Sequence, residues 1–88
     1  MEKGEGGTIV AVGRYGASAK WAVPTLISLL QDHRAGIRRV AADALGQIGP
    51  AASAAEDALQ RAAKGDVDNR VRDAASEALQ LVKRTAAT

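Results

Sequence analysis

His33 stands between Asp32 and Arg34 and is the single imidazole available to this chain for proton transfer or metal binding. A zinc or iron site needs three or four nitrogen, sulfur or oxygen ligands converging on one point. A turn histidine beside an arginine brings no such set with it. None of the serines has a histidine base except His33, whose turn position gives no reason for the pairing, so hydroxyl-nucleophile hydrolysis has little support. Cysteine is absent, which removes thiol nucleophiles, thiolate metal sites and disulfides together. The neighbouring acids Glu56-Asp57 and the Asp66 to Asp68 stretch fall where helices begin, and carboxylates there cap helix ends or stay solvated. Gly13-Arg14-Tyr15-Gly16 and the glycine-rich opening from Gly4 to Gly7 lack the lysine and hydroxyl that end a phosphate-binding loop. The sequence therefore predicts a non-enzyme with no catalytic residue, no metal site, no cofactor and no small-molecule substrate.

What the residues do show is repetition. Ile37-Arg38-Arg39-Val40-Ala41-Ala42-Asp43-Ala44-Leu45-Gly46-Gln47-Ile48 returns 34 residues later as Val71-Arg72-Asp73-Ala74-Ala75-Ser76-Glu77-Ala78-Leu79-Gln80-Leu81-Val82. Ala11-Val12-Gly13-Arg14-Tyr15-Gly16 aligns with Ala44-Leu45-Gly46-Gln47-Ile48-Gly49 at an offset of 33. The chain thus reads as a half repeat followed by two whole ones.

The elements follow from periodicity and punctuation. Residues 1–7 are charged and glycine-rich and predict a flexible tail. Thr8 to Tyr15 looks like a strand on its own, but its repeat alignment predicts a helix. Ser18 caps a second helix from about Ala19 to Asp32, with Pro24 in its first turns and Val23, Leu26, Ile27 and Leu30 on one apolar face. The third helix, Ile37 to Ile48, buries Ile37, Val40, Ala41, Ala44, Leu45 and Ile48, and Gly49-Pro50 stops it. A fourth, about Ser53 to Lys64, buries Ala55, Ala58, Leu59, Ala62 and Ala63. The last, about Asn69 to Arg84, repeats the buried register as Val71, Ala74, Ala75, Ala78, Leu79 and Val82. Residues 85–88 predict a short tail, leaving residues 8–84 as one domain. Five helices joined by short turns predict an all-α fold in which neighbours run antiparallel and hairpins stack as a right-handed α-α superhelix, an α-solenoid.

Composition agrees with close helix packing. Alanine supplies 20 of the 88 residues, phenylalanine is absent, and Tyr15 and Trp21 are the only aromatics. Twelve lysines and arginines against ten acids leave a net charge of +2, with the signs alternating along the chain. No uncompensated row of cations invites a phosphate backbone. No apolar stretch is long enough to span a bilayer and no secretory h-region precedes Thr8, so a cytoplasmic protein without membrane contact is expected.

The pattern Ala22-Val23-Pro24-Thr25-Leu26-Ile27-Ser28-Leu29-Leu30-Gln31-Asp32, then Ile37-Arg38, then Ala41-Ala42-Asp43-Ala44-Leu45-Gly46-Gln47-Ile48-Gly49-Pro50, closely resembles a HEAT repeat, most of all the HEAT-like subclass of phycobilisome lyases. The second copy keeps Asp66, Val71-Arg72, Ala75, Ala78 and Leu79 but has Gln80 where the first has Gly46. The resemblance covers about Thr8 to Lys83 and implies a HEAT/armadillo-like fold. In it Asp32 and Arg38, like Asp66 and Arg72, play a structural part. The aspartate accepts from free N–H groups at the start of the next helix, and the arginine reaches the aspartate of its own or the next repeat.

In a HEAT stack the second helix of each pair lines the concave side. Its outward positions here are Arg39, Asp43 and Gln47, then Asp73, Glu77 and Gln80, a mixed surface suited to a polar protein partner. Arg39 and Asp43 are spaced i, i+4 for an ion pair. Ile9 and Val10 occupy the stripe that carries Ala42 and Asp43, then Ser76 and Glu77, in the later repeats. Together with Trp21 they mark an uncapped N-terminal end, a contact surface for another protein or a second copy of the chain. The expected function is a non-catalytic protein–protein interaction or scaffolding module, self-association through that end being one form of it. An accessory subunit or fragment of a bilin-lyase-like HEAT protein is the alternative reading. A DNA-binding HEAT-like module is a weaker third, because the balanced charge predicts no retention of duplex at physiological salt.

Overall fold

The computed structural model describes residues 16–84; the expected tails at residues 1–7 and 85–88, and the expected helix from Thr8 to Tyr15, lie outside them. Among the described residues there are four α-helices and two 3-10 segments, in an all-α arrangement. A 3-10 segment, Gly16–Ala22, leads into α1, Val23–Leu29, and a turn leads to α2, Ala35–Ile48. A second 3-10 segment, Gly49–Ala55, leads into α3, Glu56–Gly65, and a turn leads to α4, Asn69–Lys83.

The first helix of each pair is shorter than periodicity predicts. The expected helix from Ala19 to Asp32 is a 3-10 segment kinked at Ala19 and an α-helix that begins only at Val23. Pro24 explains the late start: deep inside a helix begun at Ala19, its ring would collide with the carbonyl four residues back, whereas it stands at the first positions of α1 with no N–H required. Ala22 is the N-cap of α1 and makes no side-chain cap bond, so Ser18 does not start this α-helix. The second pair behaves alike, with a kink at Ala52 and α3 starting at Glu56 rather than Ser53. Glu56 and Asp57 in the first turn and Lys64 in the last suit the dipole of α3.

α2 and α4 follow the expected register. α2 closes on Gly49, whose φ of +76° and ψ of −144° only glycine adopts without strain, and Pro50 cannot continue the ladder. α4 opens on Asp68, whose Oδ1 accepts the Arg70 amide at 2.8 Å. The two hairpins stack so that α2 lies along α4, while the 3-10 segments meet each other.

One core runs through both hairpins, from Ala19 to Val82. Leu45, Leu59 and Val71 are the largest fully buried side chains among the described residues, each contributing about 1.5–3 kcal/mol by burial. Much of the rest is alanine, including Ala42, which the repeat pattern sets on a polar stripe but which is fully buried. Ala42 lies one turn before Gly46 on the face of α2 that meets α4, whereas its twin Ser76 faces outward and is exposed. Trp21 and Val67 are the large apolar residues left exposed among the described ones.

Candidate functional site

The site begins with a glycine. A Cβ built on Gly46 would lie 3.1 Å from the Cα and Cβ of Ala78 and 3.3 Å from Leu81 Cδ1, so only the bare backbone lets α2 approach α4 this closely. That approach sets Arg39 and Asp43 of α2 beside Asp73 and Glu77 of α4, on the side of the helices away from the core. The four line a groove of about 620 Å³ together with Arg70, Ser76 and Gln80.

Charge in the groove is mixed, with Arg39 and Arg70 against Asp43, Asp73 and Glu77. Arg39 Nη1 lies 3.6 Å from Asp43 Oδ2, a half-exposed i, i+4 pair worth a few tenths of a kcal/mol. Partial burial pushes the Asp43 carboxyl above the ordinary range; Arg39 pulls it back, and the Glu77 carboxylate adds to the rise. Arg70 is held by Asp68 through its own Nη2 at 3.3 Å. The groove therefore offers carboxylates and guanidiniums to hydrogen-bonding and charged side chains of a partner. Among the described residues no three His, Cys, Asp or Glu side chains converge to hold a metal.

Gln47 is exposed but does not line the groove. Arg70 and Ser76 do line it and were not singled out from the sequence. Arg70 aligns with Gly36 in the first repeat, so a repeat comparison passes over it, although its i, i+3 spacing from Asp73 places both on one face. Trp21 sits in the first 3-10 segment, 71% exposed and away from the groove. Ile9 and Val10 lie outside the described residues.

The turns between paired helices carry the second constellation. Asp32 Oδ1 accepts the Arg34 amide at 2.9 Å, and Asp66 Oδ1 accepts the Asp68 amide at 2.9 Å. Arg38 Nη1 donates to the Asp32 carbonyl at 2.8 Å, and Arg72 Nη1 to the Asp66 carbonyl at 2.7 Å. Arg38 then spans the two repeats, its Nε and Nη2 donating to Asp66 Oδ2 and Oδ1 at 2.8 and 3.1 Å. Both side chains are nearly buried, 12% and 8% exposed, and the bidentate bond holds the Asp66 carboxyl below the ordinary range. The Asp32 carboxyl is lowered as well, chiefly by the Arg34 side chain, whose Nε lies at 2.9 Å. His33 is exposed and lies 3.8 Å from Asp32.

No helix among the described residues is long and apolar enough to cross a membrane. No curated protein and no solved structure matches the chain. The family model for HEAT repeats matches residues 7–80, which takes in both hairpins, the Asp–Arg turns and the α2–α4 contact. On that match the chain belongs to the HEAT repeat family.

Proposed function

We propose that this protein is a non-catalytic protein–protein interaction module, a short α-solenoid whose stacked hairpins present the α2–α4 groove to a polar segment of a partner protein. HEAT repeats commonly mediate protein–protein interaction, which makes this the family's expected role. The observation that carries the reading is the groove itself: an open, charged recess built from two helices, with Arg39 and Arg70 set among the acids Asp43, Asp73 and Glu77. Mixed charge of this kind gives register and specificity to a protein contact more than it gives affinity. It offers a nucleic-acid backbone no row of uncompensated cations.

The test is affinity capture with the wild-type chain and with Asp43→Lys/Glu77→Lys, both checked for helicity. Proteins retained by the wild type and lost from the charge-reversed variant support the groove. Equal capture by both, or turnover of a substrate by the purified chain, overturns the reading.

A further inference from the structure

Neutralisation inside the α2–α4 groove is incomplete. Arg39 is engaged by Asp43 across 3.6 Å, and Arg70 turns to Asp68, which does not line the groove, with its Nη2 3.3 Å from Asp68 Oδ2. Asp73 and Glu77 are exposed and make no hydrogen bond or ion pair among the described residues. Burial raises the Asp43 carboxyl, Arg39 lowers it and Glu77 raises it further, so acids of the two helices repel one another across the groove. The chain as a whole carries a net charge of +2, yet the described lining sets three acids against two arginines, a local reversal of sign. Spacing adds a second constraint. Asp73 and Glu77 stand one turn apart on α4, about 6 Å along its axis. An extended segment repeats its same-face side chains at about 6.6 Å, so cations at alternate positions of such a segment fall opposite both acids. The Ser76 hydroxyl and the Gln80 amide line the groove beside them and offer hydrogen bonds to that segment's backbone.

We propose that the α2–α4 groove takes an extended basic segment of a partner protein, with lysines or arginines at alternate positions set against Asp73 and Glu77. The proposal rests on the interaction-module reading and names the chemistry of the partner. Charge complementarity selects this occupant. An acidic segment has to displace Asp43 from Arg39 or Asp68 from Arg70, and it then lies against two unpaired carboxylates. A basic segment displaces nothing. A cation reaching between the helices also relieves the repulsion between Glu77 and Asp43. Attraction of this kind is screened by salt, so association weakens as ionic strength rises.

Fluorescence anisotropy tests it, with a labelled, end-capped peptide of alternating lysine and serine titrated with the full chain at about 50 mM salt. Saturable binding is expected, and none for the peptide with glutamate in place of lysine. Asp73→Asn/Glu77→Gln is expected to weaken binding about fivefold or more, whereas Glu56→Gln/Asp57→Asn, which removes the same charge from α3 outside the groove, is expected to change it by less than about twofold. Arg39→Ala, which frees Asp43, is expected to strengthen binding; an occupant held by the arginines is weakened by that change. Absence of saturable binding, equal weakening by the two double variants, or weakening by Arg39→Ala overturns the proposal. The capture experiment separates this failure from failure of the groove. Proteins retained by the wild type, lost from Asp43→Lys/Glu77→Lys and lacking any basic segment leave the groove standing and remove its basic occupant.

Discussion

Arg38 acts through three bonds, two to the Asp66 carboxylate and one to the Asp32 carbonyl, and removing it strands a nearly buried acid. Arg38→Ala is expected to cost roughly 2–4 kcal/mol in urea unfolding, most of it the desolvated carboxylate left without a partner. The pH dependence has a definite sign. The Asp66 pKa is lower folded than unfolded, so its contribution is complete above the unfolded value near 3.8 and is lost as pH falls through the lower folded value. Wild-type stability should therefore drop below about pH 4, and Arg38→Ala should flatten that drop. A profile as steep in the variant as in the wild type would show that other carboxylates govern acid unfolding. The repeat made both residue types legible in the sequence, because Asp and Arg recur at fixed spacing. It left open whether each arginine serves its own or the next repeat, and for Arg38 the answer is both: carbonyl in its own, carboxylate in the next. That division depends on where two turns come to lie, with Arg38 and Asp66 28 residues apart, which spacing alone does not contain.

Helices α2 and α4 were legible because their apolar period, their Gly49-Pro50 stop and their Asp68 start agree with one another. The 3-10 segments were not, since Ala-rich stretches such as Pro50 to Ala55 suit several helical geometries, and the kinks fall at Ala19 and Ala52, alanines that only the folded packing marks as fully buried. Glycines separate the two kinds of constraint within α2. Gly36 has open space around its would-be Cβ, so Gly36→Ala is expected to stabilise the chain by about 0.5–1 kcal/mol through helix propensity and a less free unfolded state. Gly46→Ala makes the same propensity gain but pushes a methyl against the α4 backbone, and a net loss of about 1–2 kcal/mol is expected. Gly49→Ala meets no neighbour, yet its φ of +76° should cost about 1–3 kcal/mol by strain alone. Thermal melts of the three variants give the order Gly36→Ala above wild type, and the other two below it. A stabilising Gly46→Ala would mean that α2 and α4 can move apart, and the groove geometry would lose its cause.

At the scale of the whole molecule, the question is whether two stacked hairpins behave as two units or as one. The buried cluster is continuous from Ala19 to Val82, and its large residues come from both repeats: Leu45 from α2, Leu59 from α3 and Val82 from α4. Ala42 makes the same point. The repeat pattern set it on a polar stripe with Ser76, but contact with the next hairpin buries it, so a residue's environment here depends on which repeat follows it. A core of small side chains also leaves little surplus, because stability of roughly 4–13 kcal/mol is ordinary for a chain of this length. Leu45→Ala and Leu59→Ala are each expected to remove about 2–5 kcal/mol, lowering the melting temperature by at least about 10 °C. If the hairpins unfold as one cooperative unit, each variant keeps a single transition, and circular dichroism at 222 nm and Trp21 fluorescence report the same midpoint. If they unfold separately, Leu59→Ala splits the helical signal into two steps while fluorescence from Trp21, in the first hairpin, stays at the wild-type midpoint. The first outcome is expected, because α2 packs along α4 through Gly46 and Ala78, and Arg38 and Asp66 tie the two hairpins together, so neither keeps its buried face without the other.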